Sequence, residues 1–134
     1  LLSTYAGIYL IKFSYFNYSI SPYFIIVLLW YPCFELLFSM IRRNFKKNKT
    51  YKPDTIHLHQ LLFSFINKKL TFKNNLLNHF FTTLIINIYN LLIFLFSINY
   101  IYNSEILIII LFVNIFSYLL SYYLLKKNLK NYIK

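Results

Sequence analysis

The chain has 134 residues, of which 59% are apolar, 22% aromatic and only 13% charged, with a formal charge of +11. Soluble domains carry roughly 25% charged residues, so this composition excludes an ordinary soluble domain. One Gly and three Pro leave too little turn chemistry for an all-β fold. The basic residues sit in two blocks beside long apolar runs, as in the cytoplasmic loops of a membrane protein. Charges at lipid headgroup depth argue against a nucleic-acid partner. The expected class is all-α integral membrane: three to four transmembrane helices with one cytoplasmic loop containing a short amphipathic helix. The single cysteine, Cys33, permits no internal disulfide and no Cys-rich zinc site.

Residues 1–18, LLSTYAGIYLIKFSYFNY, are apolar and aromatic but interrupted by Lys12, which can snorkel to an interface. Ala6 and Gly7 are small enough for a neighbouring backbone to approach closely. The segment reads as the second part of a span; a short re-entrant or interfacial segment is the alternative. The chain begins with Leu and has no charged leader of a signal peptide. The expectation is therefore a portion of a longer protein, with a degenerate remnant as the other reading.

Ser21-Pro22 marks a helix start, because Pro suits the first turn. Residues 22–41 hold twenty positions with a single charge, Glu35, and suffice to cross about 30 Å of hydrocarbon. Pro32 removes a backbone bond within this span and predicts a kink. An ionised Glu35 is costly there, so it should face protein as an interhelical hydrogen-bond partner or take part directly in substrate or proton handling. Residues 76–98 and 105–125 give two further spans. His79, Thr83, Asn87 and Asn90 share one face of the first, and Asn114, Ser117 and Ser121 share one face of the second. Both stripes should point at protein, since a lipid-facing amide lacks partners. The short link 99–104 predicts an antiparallel hairpin with Asn87 and Asn114 at similar depth.

Between the spans lies one polar island, residues 42–75, with nine of the fourteen Lys/Arg, two of the three His and the only Asp. The tail 126–134 holds four more Lys and the 99–104 link none. The positive-inside rule places loop 42–75 and the C-terminus in the cytoplasm. Arg42 and Arg43 close the preceding span, and Lys46, Lys47, Lys49 and Lys52 follow on a loop suited to anionic lipid. Pro53-Asp54-Thr55 reads as a helix start, continued by an amphipathic helix lying in the interface. His57 and His59 diverge by about 200° on a regular helix, so both reach one ligand only from a loop or a first turn. An H-x-H pair can bind a metal, donate to phosphate or shuttle protons. With no third ligand nearby except Asp54, zinc is disfavoured, whereas the cationic neighbours and helix-start amides favour an anion.

The ordered pattern SPYF, YPCFELLFSMIRR and PDTIHLHQLL, over roughly residues 20–65, resembles the C-terminal part of the polyprenyl-phosphate N-acetylhexosamine-1-phosphate transferases. These are the WecA/MraY-like membrane enzymes of glycosyltransferase family 4. Pro53 and Asp54 match the family's Pro-Asp, His57 and His59 match the first two positions of its H-x-H-H motif, and Gln60 stands where the third histidine would be. The resemblance implies transfer of an N-acetylhexosamine-1-phosphate from a UDP-sugar to polyprenyl (undecaprenyl) phosphate, with release of UMP, at the bacterial cytoplasmic (inner) membrane. That activity serves cell-envelope polysaccharide synthesis. It further implies substrate contacts by His57, His59, Asp54, Arg43 and Gln60, and allows a homodimer. The family's Mg2+ and catalytic aspartates belong to earlier loops. This chain has no acidic pair, so no catalytic residue or Mg2+ ligand is expected within it, and alone it should lack transferase activity. Two alternatives are a non-catalytic small polytopic membrane protein or subunit with a basic lipid-binding loop, and a transporter fragment with Glu35 and the Asn stripes lining a path.

Overall fold

The computed structural model describes residues 2–45, 57–70 and 75–131. Six helices follow in order: α1 (Leu2–Phe16), α2 (Pro22–Leu28), α3 (Trp30–Phe45), α4 (Leu58–Leu70), α5 (Asn75–Ile98) and α6 (Ser104–Asn131). The described residues contain no strand. Two helices, α5 and α6, are long and apolar enough to cross a membrane, and α2 with α3 makes a third if the bent pair counts as one span. The fifteen residues of α1 rise roughly 22 Å, short of a hydrocarbon core of about 30 Å. The expected range of three to four spans therefore narrows to two or three among the described residues. No neighbouring backbone approaches Gly7, where an added Cβ would meet nothing within 4 Å.

The expected single span over 22–41 is broken. Helix α2 stops at Leu28, and α3 leaves at 70° to it. Pro32 explains the place: it lacks the N–H that would bond Leu28, and its ring crowds that same carbonyl. The break falls one turn upstream of the proline, at Leu29, whose N–H still reaches Ile25 O at 3.1 Å. The start of α2 is fixed as the sequence predicts. Ser21 caps it, its Oγ accepting from Tyr23 N at 3.3 Å, with Pro22 in the first turn.

Helices α5 and α6 form the arms of a V closed at the 99–103 turn, with α2 wedged near that turn and α4 at the far end. Ser21 ties the α2 wedge down: its N–H donates to Ile101 O at 3.0 Å, and its hydroxyl meets Ser104 Oγ at 2.9 Å. Phe24, Val27 and Leu107 are buried there. Asn103 caps α6, its Oδ1 accepting from Ile106 N at 3.2 Å. At the far end, Trp30, Leu61, Tyr118, Tyr122 and Leu129 form a second buried cluster joining α3, α4 and α6. Tyr118 is its centre, with the rings of Phe34 at 5.0 Å and Phe38 at 5.6 Å, both edge-on. Such pairs each add about 1 kcal/mol beyond area burial. Helix α4 thus packs between α5 and α6, where the sequence suggested an amphipathic helix lying on the interface. Only 11% of the most apolar window of α5 and 22% of that of α6 is buried. Most of their surface is therefore left for lipid or further helices.

The polar stripes obey their expected direction in part. Asn114 is buried and its Oδ1 accepts from Tyr89 OH at 2.9 Å, while Ser117 Oγ lies 2.6 Å from the same hydroxyl. The α6 stripe therefore meets α5 through Tyr89 and not through Asn87. In the first half of α5 the buried polar residues are Asn78 and Thr82, one position before the expected His79 and Thr83. Asn78 Nδ2 donates to Asn67 Oδ1 on α4 at 2.9 Å.

Candidate functional site

The site is built where α3 meets the start of α4. Pro32 sends α3 across the bundle, which brings Glu35, in the second turn of α3, to the first residues of α4. Glu35 is buried, and its Oε1 accepts twice: from Leu58 N at 2.9 Å and from His57 Nδ1 at 3.2 Å. A carboxylate on the free amides of a helix N-terminus gains from hydrogen bonding and from the helix dipole together. With Glu35 ionised, the His57 hydrogen on this bond sits on Nδ1, which fixes the tautomer and leaves Nε2 without a hydrogen in the neutral ring.

His57 is itself the N-cap of α4, since its carbonyl takes the first intrahelical bond, from Leu61 N at 3.0 Å. Gln60 completes a capping box three residues on: its Oε1 accepts from His57 N at 3.1 Å. Two of the expected substrate contacts, His57 and Gln60, are thus also the fastening of α4. His59 is exposed, and its ring stacks on that of His57 with centroids 5.5 Å apart and planes within 12°. The first-turn geometry that an H-x-H pair needs is present, and both imidazoles lie on one side. Arg43 is half-buried in the last turn of α3, eight residues from Glu35, which is about 12 Å along the helix. It is not part of this cluster. Its neighbour Arg42 turns inward, donating to Tyr122 OH at 2.7 Å with its guanidinium over the Phe38 and Tyr122 rings. Asp54, Pro53 and the lysines 46, 47, 49 and 52 lie outside the described residues, as does the helix start expected at 53–55.

Behind the cap, Glu35 Oε2, Tyr31 OH, Tyr118 OH and Trp30 Nε1 are buried, and none meets a partner in strict hydrogen-bond geometry among the described residues. Both phenols lie near the Glu35 carboxylate. Beside the cap runs a groove of about 500 Å³, lined by His59, Gln60 and Phe63 of α4, Tyr31 of α3, and His79, Thr83 and Asn87 among others of α5. Among the described residues no carboxylate lines it. Tyr31, Tyr118 and His79 are the participants that the sequence did not single out for a site. For His79 the signal was there, a His on a polar helical stripe, but the stripe alone reads as packing.

The described residues do not fit Mg2+. A hard cation needs several oxygen ligands, and no group of three metal-ligating side chains occurs among these residues. Glu35 is engaged at the cap, and Glu105 stands in the first turn of α6, at the opposite end of the V.

Comparison with protein-family models, with curated proteins and with solved structures returned no match.

Proposed function

We propose that the chain is the C-terminal membrane portion of a polyprenyl-phosphate N-acetylhexosamine-1-phosphate transferase, with the start of α4 forming the phosphate-facing edge of its site. One observation carries this reading: two stacked imidazoles held at a helix N-terminus, one of which, His59, lines a groove that has no carboxylate among the described residues. A nucleotide diphosphate and a lipid phosphate both bring negative charge, and positioned donors with cations are what phosphoryl transfer demands of a protein. The reaction joins an oxygen of the lipid phosphate to the sugar-bearing phosphorus of the UDP-sugar. The bond from that phosphorus to the bridging oxygen breaks, and UMP leaves.

The chain's own residues divide the work. His57, with its Nδ1 hydrogen spent on Glu35, orients the cap, and His59 is the imidazole with an N–H for a phosphate oxygen. Gln60 has its Oε1 occupied, so its Nε2 hydrogens are what it presents. Asp54 and Arg43 retain supporting roles by resemblance to the family. In this reading the segment 42–75, with its nine cationic residues, faces the cytoplasm at a bacterial inner membrane, with the C-terminal tail on the same side and the 99–103 turn outside; the positive-inside rule supports it. The catalytic carboxylates and Mg2+ would come from segments other than those described.

A second reading is favoured by the cap itself. Glu35, His57 and Gln60 fasten two helices, as a non-catalytic subunit with a basic lipid-binding loop would also need. Transfer assays in membranes holding the complete protein separate the two. His59→Ala is expected to lower transfer about a hundredfold with membrane insertion unchanged, and His57→Ala to lower transfer and loosen α4 together. Wild-type rates from both variants would remove the transferase assignment.

A further inference from the structure

We propose that His79 of α5 is a second ligand-contacting imidazole of this site, acting with His59 on one phosphate group held in the groove between α4 and α5. The inference rests on the phosphate-binding reading above and extends the site onto a helix outside the H-x-H segment. His79 belongs by sequence to a stripe that looks like helix packing. The structure gives the packing to its neighbours: Asn78 is fully buried and bonded to Asn67, and Thr82 is buried behind it. His79 is left exposed, with its ring stacked on Phe63 at 4.1 Å between centroids and planes within 16°.

Phe63 follows His59 by four residues, so the two are neighbours on one face of α4. The Phe63 stack thereby holds His79 against the His59 face of α4, and both line the same groove. Gln60 of α4 and Thr83 and Asn87 of α5 line the groove with them. An imidazole offers an N–H to a phosphate oxygen whether neutral or protonated. Two of them and an amide, with no carboxylate beside them among the described residues, make a site for a phosphomonoester. The groove runs along α5 from His79, in its first turns, to Asn87 at the middle of that apolar helix. The phosphate can therefore be free in solution or borne on a lipid.

The test is an NMR titration of the 134-residue chain with ¹⁵N-labelled histidine in phosphatidylcholine nanodiscs. One arm adds inorganic phosphate, and the other replaces part of the phosphatidylcholine with phosphatidic acid. The His59 and His79 ring signals should shift together and saturate at one concentration. Response in the first arm alone identifies a soluble phosphate, in the second alone a lipid phosphate, and in both a site open to either. His79→Phe keeps the stack on Phe63 and removes only the nitrogens. It should leave the fold intact, judged by the unperturbed His57 signal, and weaken the His59 response about tenfold. Shifts at His59 with none at His79, or an unchanged His59 response in His79→Phe, would overturn the role of His79 while leaving the phosphate reading in place. Silence from both histidines in both arms would overturn the phosphate reading and this inference together.

Discussion

Glu35 shows how one side chain fixes the chemistry of its neighbours. A single oxygen accepts the first free amide of α4 and the imidazole N–H of His57, so α3 and α4 are joined at a charged hydrogen-bond acceptor. Removing it leaves two half-buried donors unpaired, each costing about 1–3 kcal/mol. Glu35→Ala is expected to destabilise the protein by about 3 kcal/mol in denaturant or thermal unfolding in micelles, and Glu35→Gln, which keeps one oxygen, by about 1 kcal/mol. Equal losses in both variants would mean that the oxygen lone pair at Leu58 N contributes little. The sequence already made Glu35 an interhelical partner, because a buried carboxylate has few other fates. It did not name the partner: His57 lies 22 residues away, across a segment with no hydrophobic period to fix its path. The role of Gln60 was hidden for a different reason. Read as a departure from a histidine motif, it is also the third residue after an N-cap, and only the backbone of His57 shows which position it occupies.

At the scale of elements, the two hydrophobic helices, the turn between them and the Ser21-Pro22 boundary were legible from length, hydropathy and cap chemistry. So was the kink, because a proline's missing N–H acts at a fixed distance upstream. Its size was not legible, since 70° depends on what α3 packs against after the break. The packed face of α5 was misplaced by one residue for a simple reason. Asn78 with Thr82 and His79 with Thr83 are two parallel polar stripes, about 100° apart on the helix, and periodicity alone cannot choose between them. Asn67 on α4 chooses the first. If Pro32 sets the break, Pro32→Leu should restore the bond to Leu28 O and open the angle. Spin labels at Ile26 and Ile41, both exposed, would read this as a longer distance in a Cys33→Ala background. An unchanged distance would assign the bend to the aromatic cluster around Tyr118.

At the scale of the whole molecule, charge and hydrophobic surface agree on one arrangement. Arg42 and Arg43, the start of α4 and the C-terminal end of α6 gather at one end of the V, and the uncharged 99–103 turn occupies the other. The sparse burial of α5 and α6 requires lipid or further helices around them, in keeping with a bundle set in a bilayer. The proposal depends on the end that carries His57 and His59 facing the compartment that holds nucleotide sugars.

The most direct measurement is therefore sidedness, read by a membrane-impermeant maleimide on single cysteines in a Cys33→Ala background. Phe45→Cys, at the exposed end of α3 beside the histidine segment, and Tyr102→Cys, exposed in the turn, mark the two ends. The account predicts that Phe45→Cys is labelled only in inside-out vesicles and Tyr102→Cys only in right-side-out ones. The reverse pattern, or labelling of both from the same side, would contradict it.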